Sequence, residues 1–461
     1  MRSIIIIATT LALFSASCNS PIAPAENKTD SSMVKLITLD PGHFHAALVQ
    51  KSMQEGIDSN VNVYAPEGSE LQSHLDLIKQ YNERKENPTH WSEKIYTGSD
   101  FFEKMIAEKK GNVVVLAGNN LHKTNYISKS IEAGINVLAD KPMAITSANF
   151  TELEKDFTTA AQHKVLLYDI MTERSEITNI LQKEFAHIPE VFGTLTTGTE
   201  KSPAVTIESV HYFYKFVSGK ALTRPSWFFD PAQQGEAIAD VGTHLIDLVQ
   251  WECFPDTAID YKKDITINSA RIWPTPVTLS QFAAVTKKDS FPSFLKEYAK
   301  ADTILQTHGN GEIDYTLKHI HVKLTARWEY KAPEGSGDTH YCLLKGTKAN
   351  LEIKQTAAEN YKPTLYIIPI NNNKDYDTAL QKAVAKINAS YPGVTIEKIG
   401  NTWKVIIPEK YKIGHEAHFA QVLQRYLQYL KDGKLPDWET PCMIAKYYTS
   451  MEALQMANGK K

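Results

Sequence analysis

From Val34 to Tyr168 the chain keeps one rhythm: short apolar runs alternate with longer amphipathic stretches, and turn residues separate them. Apolar runs of this length, bounded by turns, suit strands buried on both faces. Val34 to Leu39 is the first, ended by the turn Asp40-Pro41-Gly42. His43 to Glu55 reads as a helix, with Ala46, Leu48, Val49 and Met53 apolar. Val61 to Tyr64 is a second strand, closed by Pro66-Glu67-Gly68. Ser99 to Lys110 is helical with Ser99 as its expected N-cap, and Asn112 to Gly118 is a third strand. A helix over Leu121 to Ala133 stops at Gly134, before a fourth strand at Ile135 to Ala139. Ser147 to His163 and Val165 to Tyr168 repeat the pattern. Strands joined by helices pair in parallel, so the expected fold is α/β, with a doubly wound Rossmann sheet over residues 34–172.

After Arg174 the pattern changes. Tyr, Phe and Thr become frequent, and Pro and Gly punctuate short strands such as Ala270 to Trp273 and His321 to Ala326. Tyr341 to Gly346 and Ala349 to Ile353 form an expected hairpin around Gly346-Thr347-Lys348. Residues 173–461 therefore read as an α+β domain on a large open, mostly antiparallel sheet. Residues 369–408 look like an insertion carrying an Asn-rich turn, a helix and a strand. An amphipathic helix is expected from Glu416 to Leu430, Pro441 to Met456 closes the chain, and no internal repeat is visible.

The first residues stand apart. Arg2, the apolar run Ile4 to Phe14 and Ser15-Ala16-Ser17-Cys18 make an export signal over residues 1–18. Small residues directly before a cysteine resemble a lipoprotein processing site, which makes Cys18 the expected lipid anchor of a periplasmic or membrane-anchored protein; the alternative is an ordinary signal peptide cut near Ser17. Residues 19–33 are rich in Pro, Ala, Ser and Asn and read as a flexible tether. A net charge of -3 gives no general affinity for nucleic acid. Cys253, Cys342 and Cys442 lack metal-ligand spacing and are expected as buried free thiols.

Several short motifs carry chemistry. Asp240 and His244 are four apart, a spacing that puts a carboxylate and an imidazole on one helical face as an acid/base pair. Asp40-Pro41-Gly42-His43-Phe44-His45 stands where a dinucleotide fingerprint would, with only the middle glycine, Gly42, kept. Glu67 follows the second strand, where an acid can bind ribose hydroxyls. His415-Glu416-x-His418 is one residue short of the zinc-protease pattern, and His319-Ile320-His321 is weaker still, so no metal is expected.

Three further segments turn these into a resemblance. Asn119-Asn120-Leu121-His122 after the third strand, Ala133-Gly134 through Ala139-Asp140-Lys141-Pro142, and Asp240-x-Gly242-x-His244-x-x-Asp247 occur in order. Together with the turn Lys345-Gly346-Thr347-Lys348 they are similar to the Gfo/Idh/MocA oxidoreductases, the glucose-fructose oxidoreductase and inositol dehydrogenase family, from about Val34 to Met456. The departures are Asp140 for the usual Glu and the glycines lost at Asp40 and His45.

The resemblance implies NAD or NADP, tightly bound, against Gly42, His43, Phe44, His45, Glu67, Asn119, Asn120, His122, Asp140 and Lys141. It implies Lys141 beside the nicotinamide and the reacting hydroxyl, His244 as acceptor of the hydroxyl proton, and Asp240 orienting His244 or binding a neighbouring hydroxyl. Substrate contacts are expected from Tyr168, Arg174, His211, Tyr212, Arg224, Trp227 and His415. The activity implied is hydride transfer between a sugar or glycoside secondary hydroxyl, C3 among the candidates, and the nicotinamide. Two alternatives stand beside it: a glycosidase working by transient oxidation and elimination, and an inactive surface sugar-binding protein. A homo-oligomer is expected, with no nucleic-acid partner and no membrane contact beyond the Cys18 anchor.

Overall fold

β1 (Leu36–Leu39) is Leu-Ile-Thr-Leu, and all four residues are buried, as a central parallel strand requires. It is followed by α1 (His45–Val49), β2 (Asn60–Tyr64), α2 (Ser69–Glu83), β3 (Ser92–Tyr96), α3 (Phe101–Glu108), β4 (Val113–Leu116), α4 (Asn120–Glu132), β5 (Asn136–Asp140), α5 (Ser147–His163) and β6 (Leu167–Ile170). The computed structural model describes residues 33–217, 220–371 and 373–459. The expected export signal with Cys18, and residues 19–32 of the tether, lie outside the described residues.

The first sheet is parallel in the order β3-β2-β1-β4-β5-β6. The order reverses between β1 and β4, where a crevice opens beyond the strand ends. The sheet has one strand more than the five expected. The extra unit is α2 and β3: α2 buries Leu71, His74, Ile78 and Tyr81 among polar residues, and β3 is an edge strand whose Ser-Glu-Lys-Ile-Tyr is at most half-buried. α1 stops at Val49 instead of continuing to Glu55, and the N-cap position of α3 is Asp100 rather than Ser99.

The second half begins with α6 (Ile177–Ala186) and β7 (Val205–Tyr214), then α7 (Val241–Cys253). β8 (Ile265–Thr278), β9 (Ile304–Leu317), β10 (Ile320–Lys331), β11 (Thr339–Lys345), β12 (Ala349–Lys354) and β13 (Thr364–Pro369) follow. Residues 369–408 hold α8 (Lys374–Ser390) and the hairpin β14 (Thr395–Ile399) and β15 (Thr402–Ile406), two strands where one was expected. The sheet runs β8-β9-β10-β7-β11-β12-β13-β15-β14, with a short strand at Ala299–Lys300 beside β9. Only β10 and β7 pair in parallel, so the sheet is mixed. Cys342 and Cys442 are buried free thiols as expected, whereas Cys253, also free, is only half-buried.

The chain closes with α9 (His415–Asp432) and α10 (Glu439–Ala457). These helices return to the first sheet. Phe419, Val422, Leu423, Tyr426, Met443 and Tyr447 are buried in the same core as β1, β4 and β5. From Val34 onward the two halves accordingly make one compact unit.

Candidate active site

The crevice is shaped first by the loops after β1 and β4. Asp40 turns the chain with a φ of +48°, and the His43 N–H donates to the Ala117 carbonyl at 3.0 Å. A Cβ at Gly118 would collide with the Asp40 carbonyl oxygen, so these loops approach to backbone contact. At Gly42 a Cβ would meet the Glu70 carboxylate, which lies over the loop and accepts from Trp227 Nε1 at 3.0 Å. Burial pushes the Glu70 carboxyl up to about 7. Glu67, the acid expected here, is exposed in the preceding turn; Glu70, in the first turn of α2, is the acid that lines the crevice.

α4 begins beside this loop. Asn119 is its N-cap, accepting from the Leu121 N–H at 3.0 Å and donating to Gln233 at 2.8 Å. Asn120 donates to the Gln234 carbonyl at 2.8 Å and accepts from buried Lys123. Both amides are thus engaged, and their contribution is to fix the α4 terminus against the segment before Asp240. His122 is exposed on α4, 6.0 Å from the Tyr126 ring. Lys123 donates to the Asp140 carbonyl at 2.9 Å, and burial lowers its ammonium to about 8.

β5 ends in Asp140, followed by a cis Lys141–Pro142 peptide. Lys141 Nζ meets Asp240 Oδ1 at 2.5 Å, with both side chains buried. Asp240 is the N-cap residue of α7 and His244 lies one turn inside it. The carboxylate pairs across the crevice with Lys141 and stands one turn before His244 at the start of the same helix. His244 Nδ1 is buried without a hydrogen-bond partner. Burial, then the nearby Lys141 charge, hold this imidazole well below its ordinary pKa, so it is neutral in the neutral pH range.

Opposite Lys141, His43 and His45 converge on Asp140. His45 Nδ1 is 3.1 and 3.0 Å from the two carboxylate oxygens, and His43 Nδ1 is 3.4 Å from Oδ2, outside hydrogen-bonding geometry. Burial opposes ionisation of Asp140, but the two imidazoles together outweigh it and hold the carboxyl well below its ordinary range.

The second sheet supplies the far wall. His211 Nδ1 is 3.3 Å from Asp338 Oδ2, which also takes Lys215 Nζ at 2.8 Å. Arg224 lies over Phe228 and Trp328, 4.3 and 5.1 Å from their ring centres, and donates to the Phe213 carbonyl at 2.9 Å. His415 lines the same wall, 5.6 Å ring to ring from His45. His418 is buried, 3.9 Å from Glu176.

Four residues expected at the substrate lie elsewhere. Tyr168 stacks on Tyr426 in the first core, at an interplanar angle of 8°. Arg174 is buried between Asp247, at 2.7 and 2.6 Å, and Glu439, at 2.7 Å. Tyr212 gives its carbonyl to Arg224 and lies beside a neighbouring groove. Trp227 stands at the Gly42 end, on Glu70. Besides Glu70 and Lys123, Glu173, Asp338 and His340 were not foreseen; burial pushes Glu173 up to about 7 and His340 down to about 4. Nothing in their spacing marks them, since they meet only through the fold.

The crevice has two chambers along Gly42 and Lys141, and the groove beside Tyr212 adjoins the second at Phe44, Lys215, Asp338 and His415. One of about 560 Å³ lies along Gly42 and α2, and one of about 210 Å³ lies between Lys141 and His415. They share His43, Phe44, Arg224 and Phe228. This shape fits a dinucleotide: Gly42 and Phe44 would border one arm, Lys141 and His244 the other. Glu70 would have to leave Gly42, which would release the Trp227 N–H as a donor to phosphate.

Residues 42–169 match the family model described as "Oxidoreductase family, NAD-binding Rossmann fold", and residues 181–458 match "Putative oxidoreductase C terminal domain". Among solved structures, a "putative oxidoreductase" from Parabacteroides merdae is 52% identical, with a TM-score of 0.90 over 93% of this chain and 98% of that one. A levoglucosan dehydrogenase in complex with NADH and levoglucosan shares the fold at 10% identity, with a TM-score of 0.56 over 93% and 98% of the two chains. So does a 3-ketoreductase from Actinomadura kijaniata bound to NADP, at 12% identity and a TM-score of 0.54 over 92% and 98%. No curated protein matches significantly. Matched by one model or the other across most of residues 42–458, the chain belongs to the Gfo/Idh/MocA family of NAD(P)-binding oxidoreductases.

Proposed function

We propose that the chain transfers a hydride between a secondary hydroxyl of a sugar or glycoside and its nicotinamide. The observation that carries this reading is the meeting of Lys141, paired with Asp240, and neutral His244 with an unpartnered Nδ1 in one small chamber. About 210 Å³ is below the roughly 300–1,000 Å³ of drug-sized ligand pockets, and suits one ring. His211, Arg224, Asp338 and His340 offer polar groups to hydroxyls, and Trp328 an apolar face. Two fold relatives are named for work on sugars or with ketones, which supports the class without fixing the substrate.

A nicotinamide held along Gly42, Phe44 and Lys141 would supply the hydride acceptor or donor. Lys141 stabilises the negative charge that develops on the substrate oxygen as its proton leaves. His244 accepts that proton, because it starts neutral and is not engaged at Nδ1. Asp240 holds the Lys141 ammonium in place. Glu173, with its carboxyl raised to about 7, could protonate a leaving group, and this keeps the oxidation-elimination glycosidase as a second reading. The expected export, Cys18 anchor, tight cofactor retention and homo-oligomer belong to the same proposal: a protein outside the cytoplasm needs a nicotinamide that it carries and recycles.

Mass spectrometry of the denatured protein, followed by spectral titration with simple sugars and glycosides, tests the reading. Nicotinamide reduction by one of them is expected. If the protein neither contains nor takes up NAD(H) or NADP(H), the inactive sugar-binding alternative replaces it.

A further inference from the structure

We infer that His43, His45 and Asp140 form a binding site for one divalent transition-metal ion of the zinc class. The three residues come from separate parts of the sequence: the histidines flank Phe44 at the start of α1, and Asp140 ends β5. Their candidate ligand atoms all lie within 4.8 Å of one another. A tetrahedral zinc with ligand bonds of about 2.0–2.1 Å has ligand–ligand edges of about 3.3 Å. The edges from Asp140 Oδ2 to His45 Nδ1 and His43 Nδ1 are 3.0 and 3.4 Å, which bracket that value.

Hydrogen bonding alone does not account for the cluster. His45 Nδ1 reaches Asp140, yet His43 Nδ1, buried and aimed at the same carboxylate, has no hydrogen-bond partner. A buried nitrogen left in that state costs stability, whereas an ion would use it as a ligand. The donor set is chemically specific: two imidazoles and one carboxylate suit zinc or iron and are poor for magnesium or calcium, which prefer all-oxygen shells.

The site is not closed. His43 and His45 both line the chamber that holds Lys141 and His244, so a fourth position faces the crevice. An ion there would act as a Lewis acid on a substrate oxygen, adding to the Lys141 charge without itself changing oxidation state. The pair weighed from sequence, His415 and His418, is a different one: His415 faces this chamber, while His418 lies near Glu176.

The test is Co²⁺ titration of the untagged full-length protein, without sugar substrate, followed by its visible d–d bands. One equivalent with four-coordinate bands is expected. His45→Ala and Asp140→Asn should each weaken Co²⁺ at least about 100-fold, since losing even a supporting contact of a metal ligand costs 10–100-fold. His418→Ala should leave Co²⁺ affinity unchanged. Absence of saturable uptake, or uptake that survives both ligand substitutions, overturns the site. If a variant unfolds, X-ray absorption on the wild-type zinc complex decides: a shell with two imidazoles supports the site and one with none overturns it. Because the readout is ion binding, its failure leaves the hydride-transfer proposal untouched.

Discussion

Two buried charge clusters meet on α7 and differ in what lies beside them. In the first, Arg174 and Lys446 thread between Asp247, Asp169 and Glu439, and Tyr447 donates to Asp169. Each cation there meets two carboxylates and Lys446 is wholly buried; Asp169 Oδ1 and Glu439 Oε2 also lack a hydrogen-bond partner, but these groups line neither chamber of the crevice. In the second, Lys141 meets Asp240, but His244 Nδ1 and His43 Nδ1 are left without partners and the cluster opens on a chamber. The motif around α7 feeds both, with Asp240 and His244 in the open cluster and Asp247 in the closed one. A buried charge alone does not indicate chemistry; unmet hydrogen-bonding capacity beside a cavity is the better sign.

This contrast can be broken at several points. Arg174→Met should cost about 3–5 kcal/mol of folding stability, because it strands Asp247 and Glu439 in the interior. Urea unfolding measures it, and a loss under 1 kcal/mol would mean that the closed cluster is not structural. Lys141→Ala should lower kcat about 10²–10³-fold, roughly 3–4 kcal/mol of barrier, and His244→Ala about 10²-fold. Both should unfold within about 2 kcal/mol of wild type, since Asp240 and His244 line a chamber from which water can fill the space the lost side chain leaves. Equal damage to stability and rate would erase the distinction between the clusters.

Glu70→Gln sharpens the picture at the Gly42 end. The folded carboxyl is raised to about 7 from 4.5, so between those values the folded state holds more protons than the unfolded one. Stability then falls as pH rises through that window, and the deficit is complete above about 7. The variant should gain about 2 kcal/mol at pH 8 and almost nothing at pH 4, read by thermal melts at both. It should also bind NAD(P) more tightly at pH 8, as the carboxylate no longer faces the phosphates. The smallest effect is expected at Tyr168→Phe. Its ring is core, so kcat and KM should stay within about twofold; a tenfold KM rise would return its hydroxyl to the substrate.

The sequence carries the Rossmann half through its buried strands, whose unbroken apolar runs leave few other folds. It hides α2 and β3, because a helix with four buried residues in fifteen and an edge strand at most half-buried resemble polar linker. The motif residues Lys141, Asp240 and His244 were legible because each is fixed at the end of a regular element. Glu70, Lys123, Glu173 and Asp338 were not, as their roles come from contacts across more than one element. Tyr168 and Arg174 misled for a related reason: one lies in β6 and the other just after it, near the expected place, but α9 and α10 cover them.

Those last helices also set an order of events in the making of the protein. The first core needs Phe419, Tyr426, Met443 and Tyr447, which leave the ribosome long after β6. While translation is in progress, the parallel sheet stands with one side unfinished and apolar surface showing. A chain cut before α9 should therefore expose apolar surface of the first core and be a good substrate for proteases. Completion of the nucleotide-binding half and completion of the whole chain then become a single step, because the last helices of the chain close the first core.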